Sequence, residues 1–322
     1  MDVDAYGYTH RRSWARLDEL ATKRRLTGQE VDELLARYRL TSQQLARLQQ
    51  HSPDPELVAG LSAVLTRARV RVLRTRSDNW SQVGRFCTHR FPAAVYRAWP
   101  WWTTVTLLFL AVATGVAGWV AGSGSARSAL GLPADTSQLT AAGGAFESYY
   151  SEHPNDAFAA QVWTNNALVA AVALFTGALI LPAVYVLVMN AVNVGVSAGL
   201  MADAGRLDAF FGFILPHGML ELTAVFVAGG AGLKLGWTII DPGGLSRIEA
   251  AARQGRATAT IALGLVFVLL VSGLLEGFVT PSGWPTPIRI GVGLAAELAF
   301  LAYVFGPGRR AAAAADQKAL AR

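Results

Sequence analysis

His217 and Glu221 stand four residues apart in an apolar stretch of the chain, so on a helix they share one face, and that face continues through Ala224 and Ala228. An imidazole and a carboxylate so placed can clamp neighbouring helices by hydrogen bonding, hand on a proton, or offer two ligands to a metal. Two ligands are only half of what zinc requires, so neither a metal nor a cofactor is expected. Other polar residues interrupt apolar runs. Asn165 and Asn166 open one run, with Ala170, Ala173 and Gly177 below Asn166; Asn190, Asn193 and Ser197 line one face of the next; Glu276 and Glu297 add carboxylates to the last two. An ionisable group inside a membrane span costs about 2.5–3.5 kcal/mol on insertion scales in the worst cases, so such groups are normally paired. The expected arrangement is a polar seam in which His217 and Glu221 bond across to Asn190 or Asn193.

A second constellation is Gly195-Val-Ser197-Ala-Gly199, which matches the Gly-x-Ser-x-Gly pattern of serine hydrolases. An intramembrane serine protease would need His217 beside Ser197. The pattern arises easily in a glycine-rich helix, and its usual strand-turn-helix context is absent, so a catalytic role is not the leading reading. No phosphate-binding Gly-x-x-x-x-Gly-Lys-Ser motif occurs, and any ATPase that drives this protein must be a separate chain.

The elements that position these residues follow from composition. The 322-residue chain is 52% hydrophobic and 16% charged, too apolar for a soluble protein of this length. The asymmetry is strong: 17 of the 28 Lys and Arg lie before residue 101, against 10 of the 22 acids. Residues 1–98 therefore read as a basic cytoplasmic helical domain, residues 99–306 as a transmembrane domain and residues 307–322 as a cytoplasmic tail. Attraction to anionic lipid and orientation of the first span explain the basic excess without a nucleic-acid partner. Thr27 and Glu30 form a capping box that opens one helix, and Asp54-Pro55 opens another whose apolar stripe runs from Leu57 to Val72. Between Ser77 and Trp102, aromatic residues alternate with Arg85, His89, Arg90 and Arg97, a mixture suited to an elbow helix in the headgroup layer, broken near Pro92 and turning into the bilayer at Pro100. The single Cys87 excludes an intramolecular disulfide. No stretch of the first hundred residues resembles a signal-peptide core, so the first span is expected to direct insertion.

Six spans fit the apolar pattern, at about 103–121, 163–181, 183–202, 216–239, 257–279 and 287–305. The basic loop at 241–256 and the basic tail both ask to be cytoplasmic, which requires an even number; a tight hairpin or a break at Pro182 then divides the long segment 163–201. The acidic loop 122–165 belongs outside with a short helix of its own, and residues 203–214 become a short amphipathic segment at the outer face. Small-xxx-small pairs at Gly118/Gly122, Gly195/Gly199, Gly232/Gly236 and Gly273/Gly277 mark expected close helix approaches. The fold class is all-α, a polytopic helix bundle with an N-terminal soluble helical domain and an interfacial elbow helix.

The run from Asn165-Asn166 through Phe175-Thr-Gly177, then Asn190 to Gly199, then Pro216-His217-Gly218-Met-Leu-Glu221-Leu, resembles the stage II sporulation protein M family. The Pro-His-Gly-x-x-Glu element beside a glycine-rich helix is its most specific feature, and the basic helical domain resembles that of longer actinobacterial members. One departure is visible: Asn190 is followed by Ala191 where the family commonly has Asn-Gly. The resemblance implies a non-catalytic plasma-membrane scaffold or anchor, since the family member of spore formers works with peptidoglycan-degrading partners. Related proteins are often encoded near MoxR-type ATPases, so the partners it implies are membrane lipids, other membrane or envelope proteins and an ATPase system of that type, with a homo-oligomer open. An elbow helix before six spans is also similar to ATP-driven export permeases, which keeps a permease-like subunit as the second reading.

Overall fold

The computed structural model describes residues 3–320, apart from 25, 52–53, 76–78, 134 and 149–154. Two compact units result, Met1–Gly84 and Arg85–Arg322. The boundary falls inside the expected elbow stretch, Ser77–Trp102, whose residues from Arg85 onward pack within the second unit.

The first unit is built on three helices, α1 (Val3–Thr22), α2 (Gly28–His51) and α3 (Pro55–Thr75). The expected start signals are both used. Thr27 Oγ1 accepts from the amide of Glu30 at 3.3 Å while the Glu30 carboxylate accepts from the amide of Thr27 at 2.9 Å, and Asp54 caps α3 through the amides of Glu56 and Leu57. Leu17, Leu20, Leu34, Leu65 and Ala68 fill one core cluster; Trp14, Leu48 and Leu61 fill another. Trp14 is the polar exception, donating from Nε1 to Gln44 Oε1 at 2.7 Å. Charged groups stay on the surface, where Glu33 lies between Arg16 and Arg37, and Asp18 pairs with Arg67. Helix α1 precedes the two helices that the caps at Thr27 and Asp54 open.

After α4 (Asn79–Arg85), a π-turn (Phe86–Arg90) continues into α5 (Phe91–Arg97). Pro92 follows directly on the π-turn, with Arg90 and Phe91 both helical, and the wider turn absorbs its missing amide, so the helix runs on past it. The chain bends instead at Ala98 (φ −95°, ψ 2°), and Pro100 occupies the first turn of α6 (Trp99–Gly122). The long loop holds three short helices, α7 (Gly124–Ala129), α8 (Ser137–Thr140) and α9 (Ala145–Ser148), and leads to α10 (Asn155–Thr176). A 3₁₀ turn (Gly177–Leu179) and Ile180, at φ 60° and ψ −66°, then reverse the chain into α11 (Leu181–Asp203), with Pro182 in its first turn. The long segment is thus two helices joined by a tight turn.

Helix α12 (Leu207–Ile240) is continuous for 34 residues. It absorbs residues 207–214, so the separate amphipathic segment expected at 203–214 does not form. Its stretch from Ala224 to Gly232 is buried on every side, as befits a central helix. α13 (Arg247–Leu274) opens on a capping box of Ser246 and Glu249 and ends in a π-turn (Leu275–Val279). α14 (Thr286–Tyr303) runs through another π-turn (Val304–Gly308) into α15 (Arg309–Leu320), so the basic tail is helical. Among the described residues, five helices are long and apolar enough to cross a membrane: Trp99–Gly122, Leu181–Asp203, Leu207–Ile240, Arg247–Val279 and Thr286–Lys318. Across the second expected span, α10 runs from Asn155 to Thr176, and the described side chains give it an apolar stretch at Asn166–Leu179 that ends in the 3₁₀ turn.

α12 touches α6, α10, α11, α13 and α14, and α6 packs along α11. Leu107, Leu108, Leu168, Phe175, Leu263 and Phe267 point outward, as lipid-facing side chains would. At one end of the unit the elbow is tied to the C-terminal helices: Tyr303 donates to the Cys87 carbonyl, Arg97 pairs with Asp316, and Lys234 reaches the Arg97 carbonyl at 2.8 Å. At the other end, Arg206 pairs with Glu147 and donates to the Thr140 carbonyl at 2.6 Å, Arg127 pairs with Asp203, and Phe146 stacks on Phe210. The backbone amide of Gly143, followed by Arg206, holds the Glu147 carboxyl below its usual range. The acidic loop is therefore fastened to the bundle.

Candidate functional site

Helix α12 carries His217 and Glu221 one turn apart and turns both toward α13 and its terminal π-turn. His217 Nδ1 lies 3.0 Å from Thr280 Oγ1, and its Nε2 lies 3.8 Å from Glu276 Oε1. Ser272 Oγ lies 3.1 Å from the His217 carbonyl and 3.4 Å from Glu221 Oε2, and the side chain of Asn166 on α10 also hydrogen-bonds to Glu221. His217, Ser272, Glu276 and Thr280 are all buried, while Glu221 is partly buried. Two residues past Glu221, on another face of α12, Thr223 donates to Glu297 Oε1 of α14 at 2.9 Å. Helices α10 and α13, the latter with its terminal π-turn, meet α12 at the His217–Glu221 face.

The expected partners on α11 take no part. Asn190 donates to its own helix, at the Val186 carbonyl 2.9 Å away, and Asn193 is exposed. An asparagine on a helix can satisfy its amide on the carbonyl one turn back, which removes the need for an interhelical bond. Asn166 does join the site, and the side chain of Asn165 lies outside the described residues. Glu276 already stands out in the sequence as an intramembrane carboxylate; Ser272 and Thr280, which do not, carry a signal all the same, since they flank it at four-residue spacing, the same spacing that singles out His217 and Glu221.

Glycine pairs act unequally. A Cβ on Gly195 or Gly199 would stand 2.6 or 2.7 Å from the Ala113 or Ala117 carbonyl of α6, and one on Gly232 would stand 2.6 Å from the Leu174 carbonyl of α10. Gly236 meets the Gly177 carbonyl in the same way, at 2.3 Å. Gly118 and Gly122 have nothing within 4 Å of such a Cβ, because α6 meets α11 through its 113–117 face. Gly273 and Gly277 are buried. Ser197, between the packed glycines, lines a small cavity with Thr140, Phe146 and Met201, whereas both ring nitrogens of His217 face Thr280 and Glu276. The geometry required of a serine–histidine pair is not assembled.

Residues 105–281 match the family model described as Stage II sporulation protein M. The chain belongs to the stage II sporulation protein M family. The match spans α6 through Thr280 and so contains Asn166, His217, Glu221, Ser272 and Glu276; Glu297, the elbow and α15 fall beyond it. Residues 4–74, the three-helix unit, match a separate model described as a domain of unknown function (DUF8413). No curated protein and no solved structure matches the chain. As a family member with five apolar helices of spanning length among its described residues, the chain is a membrane protein.

Proposed function

We propose that this stage II sporulation protein M family protein is a non-catalytic scaffold of the cell membrane that anchors envelope- or peptidoglycan-remodelling partners. In this reading both termini are cytoplasmic and the loop 122–165 is outside. The observation that carries it is backbone-to-backbone packing at Gly195, Gly199, Gly232 and Gly236, where a single added carbon would collide with a neighbouring carbonyl. Helices locked so closely suit a fixed platform, whereas a transporter works by rocking one bundle against another. A cleft beside the elbow, lined by Arg90, Arg97, Lys234, Arg253 and Arg256, offers a basic face to acidic partners or lipid headgroups.

The elbow helix before the spans favours the second reading, a permease-like subunit driven by a separate ATPase. Purification of the full chain from native membranes in mild detergent separates the two. Recovery of peptidoglycan-remodelling enzymes supports the scaffold; recovery of an ATPase whose hydrolysis drives solute movement in reconstituted vesicles overturns it. Cysteine labelling tests the topology, after replacement of the exposed Cys87. A Cys at Ser148 should react in intact cells, and ones at Ser42 and Ala314 only after permeabilisation.

A further inference from the structure

We propose that His217, Glu221 and Glu276 bind one first-row divalent cation through an imidazole nitrogen and two carboxylate oxygens. One ligand atom from each residue lies within 4.8 Å of the other two. Zinc-type ions hold nitrogen and oxygen ligands at about 2.0–2.2 Å, which places the ligand atoms about 3–4 Å from one another. The His217 Nε2 to Glu276 Oε1 separation of 3.8 Å already falls in that range, and it is too long for a hydrogen bond. Small side-chain shifts would close the rest.

The hydrogen bonding around His217 presents it as a ligand. Thr280 Oγ1 donates to the Leu275 carbonyl at 3.3 Å, so its oxygen is left to accept the proton of His217 Nδ1 at 3.0 Å. With the proton on Nδ1, the lone pair of Nε2 faces Glu276. Metal-bound histidines are held this way, with the far nitrogen tied to an oxygen behind it. A separate observation points to the same ion. Glu276 is 3% exposed, and its Oε2 is buried with no hydrogen-bond partner. Ser272 and Asn166 in turn position the Glu221 carboxylate.

Charge selects the ligand class. Two carboxylates in an apolar bundle are costly unless neutralised, and a divalent cation cancels both charges at once. Mixed nitrogen and oxygen donors without thiolate suit zinc, manganese, iron(II) or cobalt(II) better than copper(I), and magnesium prefers a site that leaves it several waters. His217 and Glu221 alone are two ligands, which is why their spacing predicts no metal; the third lies on another helix, 55 residues further along the chain.

The inference stands independently of the scaffold reading, and elemental analysis tests it. The full chain, purified in detergent on a histidine-free tag without chelator, should carry roughly one of these metals per molecule, and Glu276→Gln roughly a tenth of that or less. Glu297→Gln, a buried carboxylate outside the trio, should keep the wild-type content. After stripping, cobalt(II) should titrate the wild type to a saturable visible spectrum, with Thr280→Val binding about 10- to 100-fold more weakly. Equal metal in wild type and Glu276→Gln overturns the proposal. So does a stripped wild type that binds none of zinc, manganese, iron(II) or cobalt(II) saturably, an arm that decides the matter even where the variant does not fold.

Discussion

Leu34 in the N-terminal unit and Gly232 in the membrane unit both sit where helices meet, yet the two sites are built on opposite principles. Around Leu34, large side chains fill the space between helices and the charges of Arg16, Glu33 and Arg37 remain at the surface. Around Gly232, the absence of a side chain lets backbones touch, large apolar residues face outward, and the carboxylates of Glu276 and Glu297 are turned inward. The difference is one of solvent. In water, helices associate by hiding bulk; in lipid, hiding bulk gains nothing, so close van der Waals contact and interior hydrogen bonds take over.

Four measurements sharpen or break that contrast. The largest effect is expected from Gly232→Leu, because the atoms it meets are backbone and cannot move aside. Loss of monodisperse protein in detergent, beyond the usual overpacking penalty of about 1–3 kcal/mol, is the expected outcome, while Gly118→Leu stays folded. Equal tolerance of both would show that glycine packing is not what holds the bundle. Next, Leu34→Ala should open a cavity and destabilise the N-terminal unit by about 2–5 kcal/mol, read as earlier proteolysis of residues 1–84 in the full chain.

A smaller effect is expected in the polar seam. A double-mutant cycle between Glu221→Gln and Ser272→Ala should give a coupling of about 0.6 kcal/mol and no more than about 1.7, while Glu221→Gln with Asn190→Ala should be additive. Coupling to position 190 instead would put the seam on α11. The smallest effect is acid-induced. Lys23 and the capping contacts of Thr27 bring Glu30 down to about 2. Its folded value lies below its unfolded one, so the stabilisation is present in full above the ordinary carboxylate range and is lost as pH falls from about 5 toward 2. Melting of the N-terminal unit across that window should show a step that Glu30→Gln removes.

Local signals were legible before any coordinates. The capping box at Thr27, the cap at Asp54, the turn into the first span at Pro100 and the division of the long segment near Pro182 all depend on residues close in sequence, and each stands where its chemistry requires. The elbow continued through Pro92 because the π-turn just ahead of it absorbs the missing amide, and no sequence pattern announced that turn. Residues 207–214 joined α12 because a charged first turn followed by aromatics reads equally as an interfacial segment or as the end of a long helix. The seam was half legible. Spacing identified His217 and Glu221 as a face, but which helix answers that face is a matter of packing, and Asn190 satisfied its amide at home while Ser272 and Glu276 came from far along the chain.

The turn at Ile180 bears on how the protein enters a membrane during synthesis. Helix α10, Asn155–Thr176, is 22 residues long, about 33 Å at the helical rise, and only Gly177–Leu179 and Ile180 separate it from α11. There, a β-branched residue adopts φ 60° and ψ −66°, a conformation rarely occupied unless its surroundings enforce it. The turn is held against α12, where Gly236 lies under the Gly177 carbonyl and the Ile180 side chain, and α11 packs back on α10. With so short a connection, the chain has no loop to spare between α10 and α11, and the two are expected to enter the membrane together as a hairpin.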